Sequence, residues 1–117
     1  MSDVSAIVVV STFPDAEKAA QIARVLVEER LAACVNLVPA VRSIYRWQGA
    51  IQDDAESLAI IKTTADRHAT LAARLVELHP YEVPEIIVLP VTAGHAPYLA
   101  WLAGQVDQPP GQPPSAP

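Results

Sequence analysis

Apolar residues fall at helical spacing in three segments of this chain and in extended runs in four. Between Val4 and Thr12 lies the β-branched run Ile7-Val8-Val9-Val10, too short for a helix and continuous enough for a strand buried on both faces. Pro14 then suits the first turn of a helix, with Asp15 and Glu17 near its positive end. Up to Arg30, the residues Ala19, Ile22, Ala23 and Leu26 mark one helical face, and Lys18, Gln21, Arg24 and Glu28 the other. An extended pattern opens at Leu31, runs to Pro39 and continues from Val41 to Trp47, where Gly49 interrupts it. Ile51 to Thr64 reads as the returning strand, most apolar at Leu58-Ala59-Ile60-Ile61. Helical spacing resumes from Asp66 to His79, with Leu71, Ala72, Leu75, Val76 and Leu78 toward the core and Thr64 as N-cap. Glu85 to Thr92 is the fourth strand, and Gly94-His95-Ala96-Pro97 turns into a last helix, Tyr98 to Val106.

This order predicts an α+β, ferredoxin-like βαββαβ sandwich with a C-terminal helix. Right-handed crossovers place the first and third strands at the centre of the sheet, where the apolar runs are longest. Pro39 and Pro90 fall in the other two strands and belong on edges. With Gly49-Ala50 as a two-residue turn, Arg46 would face Asp53, and Asp54 and Glu56 would share a face with Tyr45 and Trp47. Each arm of that long hairpin would reach roughly 45 Å, well beyond an ordinary strand. Its tip therefore needs a neighbour, and another copy of the chain is the simplest one.

Length and composition narrow the class. The chain has 117 residues and is 51% hydrophobic, so residues 1–106 form one domain with some apolar surface left for a subunit interface. Residues 107–117 hold five prolines and no large apolar side chain, and are expected to be disordered. A net charge of -5 without a basic stripe argues against nucleic acid. The single Cys fits a reducing compartment, the start lacks a signal peptide's features, and no apolar run could span a membrane. The expectation is a cytoplasmic protein.

The densest chemistry lies in His79-Pro80-Tyr81-Glu82-Val83-Pro84-Glu85, where two prolines stiffen a loop between a helix and a strand. His79 reads either as a cation at a helix C-terminus or as an accessible metal ligand. Cys34 reads either as a small buried hydrophobe or as a soft ligand suited to Cu(I). Lys62 reads either as a strand-end lysine reaching water or as a cation facing a pocket with Tyr81 and Glu82. Tyr45, Trp47, Asp54 and Glu56 make a polar and aromatic surface suited to a small ligand or a partner chain. His68 reads as solvated and His95 as a turn residue. There is no P-loop, no dinucleotide fingerprint and no regularly spaced metal motif.

Leu31-Ala32-Ala33-Cys34-Val35-Asn36, Ser43-Ile44-Tyr45-Arg46-Trp47-Gln48-Gly49, Ile60-Ile61-Lys62-Thr63, His79 to Glu85 and Tyr98-Leu99-Ala100-Trp101-Leu102 together resemble the CutA family of divalent-cation tolerance proteins. The resemblance covers roughly residues 4 to 106 in collinear order. It implies a ferredoxin-like subunit, a homotrimer, a link to divalent metals with copper favoured, and a likeness in fold to trimeric PII proteins that bind effectors between subunits. His79 matches a proposed copper ligand, and Cys34 the family's recurrent cysteine. Ser11 and Leu78 stand where some members carry a Cys and a second His, so copper binding is expected to be weak. Lys62, Tyr81 and Glu82 match residues lining the family's inter-subunit cleft.

The leading expectation is thus a cytoplasmic homotrimer that binds divalent metal and takes part in metal-ion response. An effector-sensing or scaffolding trimer with a small ligand in its cleft stays open beside it. No perturbed acid–base pair marks an enzyme, and none is expected.

Overall fold

A computed structural model describes residues 5–107. Among them lie four strands and three α-helices: β1 (Ala6–Phe13), α1 (Ala16–Glu28), β2 (Cys34–Trp47), β3 (Ala50–Thr64), α2 (His68–Leu78), β4 (Ile87–Pro90) and α3 (Ala96–Val106). The sheet order is β2-β3-β1-β4, and every neighbouring pair is antiparallel. This is the ferredoxin-like arrangement, with β1 and β3 central and Pro39 and Pro90 in the edge strands. Apart from Asp107, the expected disordered tail lies outside the described residues.

The strand period sorts the sheet into two unlike faces. Ile7, Val9 and Phe13 of β1 and Ala59 and Ile61 of β3 point to one face, where Ala19, Ile22 and Leu26 of α1 and Leu71 and Leu75 of α2 bury them. On the other face Val8 and Val10 pair with Lys62 and Ile60, and with Leu89 and Ile87. That face receives only α3, whose Leu102 and Val106 pack with Ala33 and Ala6 at one end.

Local chemistry sets the helix limits. Asp15, not a residue of the first turn, caps α1 by accepting from the Lys18 N–H at 2.7 Å, so Pro14 stays outside the helix. At the other end Arg30 turns to φ 58°, its N–H bonds to Val27 O at 3.1 Å, and Leu31 N–H reaches Leu26 O at 3.0 Å. These bonds are a Schellman motif with arginine in the usual glycine position. Thr64 takes the expected N-cap position with extended backbone, but its hydroxyl donates to the Asp66 carboxylate and caps no backbone N–H of the helical turn that follows. Val76, expected in the core, is exposed, because it sits about 100° around α2 from buried Leu75. β4 is shorter than the expected Glu85–Thr92, since only Ile7 to Val10 of β1 pair with it.

The hairpin has the expected length and a different turn. Trp47 pairs with Ala50, so Gln48 and Gly49 form the loop with φ of 49° and 80°, the signature of a type I′ turn. Arg46 therefore faces Ile51, and Asp53 is held instead by Arg42 through two bonds of 2.7 and 2.8 Å. Farther down, Pro39 and Ala40 oppose Ser57 alone in a β-bulge, tied by a 2.8 Å bond from the Ser57 hydroxyl to Pro39 O. The bulge puts Val41, Ser43, Tyr45 and Trp47 on the same face as Glu56 and Asp54, the face that α3 leaves open.

Candidate functional site

The α2–β4 loop passes the end of β1 and meets the hairpin, and a chain of side chains joins the three. His79 ends α2 with its N–H on Leu75 O and its backbone extended, as the following proline requires. Its ring is only 8% exposed and stacks on Phe13 with centroids 4.6 Å apart. Nδ1 accepts from the Tyr81 N–H at 3.1 Å, so Nε2 carries the proton and donates to Thr12 O at 2.8 Å. Burial lowers the proton affinity of this imidazole, against the opposing pull of the Thr12 carbonyl and the Glu56 charge. The expected accessible histidine is therefore a buried, neutral one with both nitrogens engaged.

Tyr81 continues the chain. Its hydroxyl donates to Glu56 Oε2 at 2.5 Å, a charge-assisted bond. Burial, then the Glu56 carboxylate, push its phenol well above the ordinary value. Glu56 is itself only 8% exposed, and no salt bridge pairs it with a cation among the described residues. Burial and the Glu56 charge also raise the proton affinity of Glu85. On the hairpin, the Tyr45 hydroxyl donates to Asp54 Oδ2 at 2.7 Å, which raises the Tyr45 phenol.

Between the hairpin and the loop opens a cleft of ≈ 790 Å³. Tyr45, Trp47, Glu56, Tyr81 and Glu82, all singled out in the sequence, line it together. Lys62 does not: within one chain it stands six residues along β3 from Glu56, about 20 Å at strand rise, with its ammonium 5.8 Å from the Tyr98 ring centre. Thr12 and Glu85 also line the cleft and were not anticipated. Glu85 lay in the flagged loop, but nothing local to Thr12 marks it.

The two expected metal donors are not brought together. Cys34 pairs with Lys62 at the far end of β3, its thiol 3.7 Å from Asn36 Oδ1. Among the described residues, no group of three His, Cys, Asp or Glu side chains could hold a metal ion. Ser11 is fully buried and its Oγ has no hydrogen-bond partner. These residues do not build a preformed copper centre.

The fold and the cleft define a small ferredoxin-like protein whose candidate site is a pocket between a strand hairpin and a loop. The sequence profile described as CutA1 divalent ion tolerance protein matches residues 7–105. The chain belongs to that family. It is 54% identical over 95 residues to the divalent-cation tolerance protein CutA of Thermus thermophilus, covering 81% of this chain and 92% of that one. It is 50% identical over 91 residues to the mouse protein CutA, covering 78% of this chain and 51% of that one, and so spans about half the mouse protein's length. Among solved structures, CutA of Xylella fastidiosa superposes with a TM-score of 0.86 at 44% identity, covering 88% of this chain and 99% of that one. A structure from Archaeoglobus fulgidus, described as a periplasmic divalent cation tolerance protein, gives a TM-score of 0.84 at 32% identity, covering 86% and 98%. No helix among the described residues is long and apolar enough to cross a membrane.

Proposed function

We propose that this protein acts in the response to divalent metal ions as a cytoplasmic homotrimer without enzymatic activity, and that its direct hold on metal, copper above all, is weak and runs through His79. Family membership supports the link to metals. The observation that carries the weak hold is the engagement of both His79 nitrogens, since a metal must displace a hydrogen bond before it reaches a lone pair. Cys34, at the other end of the sheet, makes a separate and lesser contact. Calorimetric titration of the whole protein with Cu²⁺ and Zn²⁺ tests this reading. His79→Ala removes most of the copper binding and Cys34→Ser removes less. Undiminished affinity in His79→Ala overturns it.

The cleft favours a second reading, an effector-binding trimer. Its volume is that of a small-molecule site, and its walls mix aromatic surface with a few polar groups. In the trimer Lys62 of a neighbouring copy would lie near Tyr81 and Glu82. Calorimetry with nucleotides and other small molecules, scored against Tyr81→Phe and Glu82→Gln, tests that reading, and binding that neither change affects would end it.

A further inference from the structure

We propose that the Pro39–Ala40 bulge is a joint that aims the hairpin, and that Ser57 and Glu56 are positioning residues that lock this joint from its two sides and so set how tightly copies of the chain assemble; this deepens the homotrimer reading and rests on it. The place of the bulge comes first. Phe13, the last residue of β1, pairs with Ser57, so β3 has a strand on each side up to that residue. Beyond it, residues 41–47 and 50–56 form a ribbon of two strands. Below the joint, Val35 and Leu37 pack against the core, and Ala59 and Ile61 lie within it. Above it, no residue from 41 to 55 is buried. A bulge bends the strand that carries it and disrupts the ladder, and here it falls where the sheet narrows. A two-stranded ribbon is marginal by itself, so its angle must be fixed from outside the ribbon.

Two neighbours on β3 do this. Side chains alternate along a strand, so Ser57 and Glu56 leave on opposite faces. On the core side the Ser57 hydroxyl, in a residue only 1% exposed, donates to Pro39 O at 2.8 Å across the bulge. On the open side Glu56 accepts from the Tyr81 hydroxyl at 2.5 Å, which ties the first pair of the ribbon to the α2–β4 loop. That loop is anchored in turn at the end of β1, by the stack of His79 on Phe13 and the bond of His79 to Thr12 O. Both braces therefore lead back to one fixed point, the end of β1, where Phe13 also pairs with Ser57. Copies that meet through an aimed ribbon have its angle fixed beforehand, whereas a swinging ribbon must be ordered during assembly at a cost in affinity.

The test compares Ser57→Thr with Ser57→Val in the full chain, since the two match in shape and differ in the hydroxyl. Sedimentation over a range of protein concentrations reads assembly, and amide hydrogen exchange reads the ribbon. With Val, the amides of residues 41–56 should exchange about fivefold faster than with Thr, and the assembled species should dissociate at about fivefold higher concentration. Tyr81→Phe removes the other brace and leaves the core side untouched, and it should act in the same way relative to the native chain. A merely structural hydroxyl would speed exchange at core amides such as Val9 and leave the ribbon, which would then open by itself, unchanged; that result overturns the proposal. So does a ribbon that exchanges faster while assembly stays the same, or identical behaviour of the Thr and Val variants. If neither variant at position 57 folds, Tyr81→Phe decides by the same two readings. A native chain that sediments as a monomer overturns the homotrimer reading and this proposal with it, whereas a native trimer whose variants are indifferent overturns this proposal alone.

Discussion

Ser11 carries the one buried side-chain polar atom among the described residues that has no hydrogen-bond partner. Its hydroxyl lies in the core face of β1, in register with Ala59 and between Val9 and Phe13. Leaving such a group dry costs about 1–3 kcal/mol. Ser11→Ala is therefore expected to raise stability by about 1 kcal/mol, read as a higher urea midpoint at unchanged slope, whereas a lower midpoint would reveal a partner for the hydroxyl. His79 gives the pH counterpart. Its folded proton affinity lies below the ordinary value of 6.5, so the unfolded chain binds the proton more tightly. The contribution of neutral His79 is full above about pH 6.5 and is lost as pH falls below it. Stability measured between pH 7 and 5 should fall more steeply in the native chain than in His79→Gln, and parallel curves would contradict this. The sequence marked His79 as a loop residue with chemistry and left both accessible and structural roles open. It could not reveal the burial, because the ring that covers it, Phe13, and the carbonyl that binds it, Thr12, come from a strand far upstream.

The hairpin shows at the level of elements why faces are easier to read than registers. The expected turn at Gly49-Ala50 is displaced to Gln48-Gly49, and Arg46 meets Ile51 in place of Asp53. That is a slip of two residues, and because side chains alternate with a period of two, every face assignment survives it. Tyr45, Trp47, Asp54 and Glu56 were thus grouped correctly on a wrong pairing. The bulge at Pro39-Ala40 left no such trace, since nothing local to either strand counts the residues opposite. The observed turn carries its own prediction. Gln48 holds φ 49°, a region asparagine tolerates better, so Gln48→Asn should add about 0.5–1 kcal/mol. Gly49→Ala should remove about 1 kcal/mol although nothing lies within 4 Å of the added Cβ, because at φ 80° the strain is in the backbone. Thermal melts of the two variants check the pair, and a stabilising Gly49→Ala would refute the turn assignment.

At the scale of the whole molecule, surfaces that one copy cannot cover argue for assembly, and the prediction is a homotrimer closed by the long hairpin. The extents of 49 × 30 × 23 Å and a radius of gyration of 15.1 Å, against about 13 Å for a compact chain of this length, show how far the hairpin projects. Ile44 and Ile51 near its tip are 65% and 62% exposed, with Tyr45 and Trp47 beside them. The sheet face carrying Val8, Val10, Leu58 and Ile60 is apolar, only partly buried, and extended across β4 by half-exposed Ile87 and Leu89. One helix, α3, covers one end of it. The outer edges of β2 and β4 also present unpaired backbone groups, which invite strand addition. A cyclic arrangement would cover all three features with one repeated contact and leave no free edge; that the ring has three members is what the family resemblance implies. An interface of this kind is large and apolar, so folding and assembly should be coupled. Trp47→Ala should then cost about 2 kcal/mol or more per interface, while Arg42→Ala, which loses only a solvent-exposed ion pair, should leave assembly and melting temperature close to native. Sedimentation at low micromolar concentration decides between the outcomes: a single trimeric species that Trp47→Ala weakens supports the closed ring, and a stable folded monomer in the native chain defeats it.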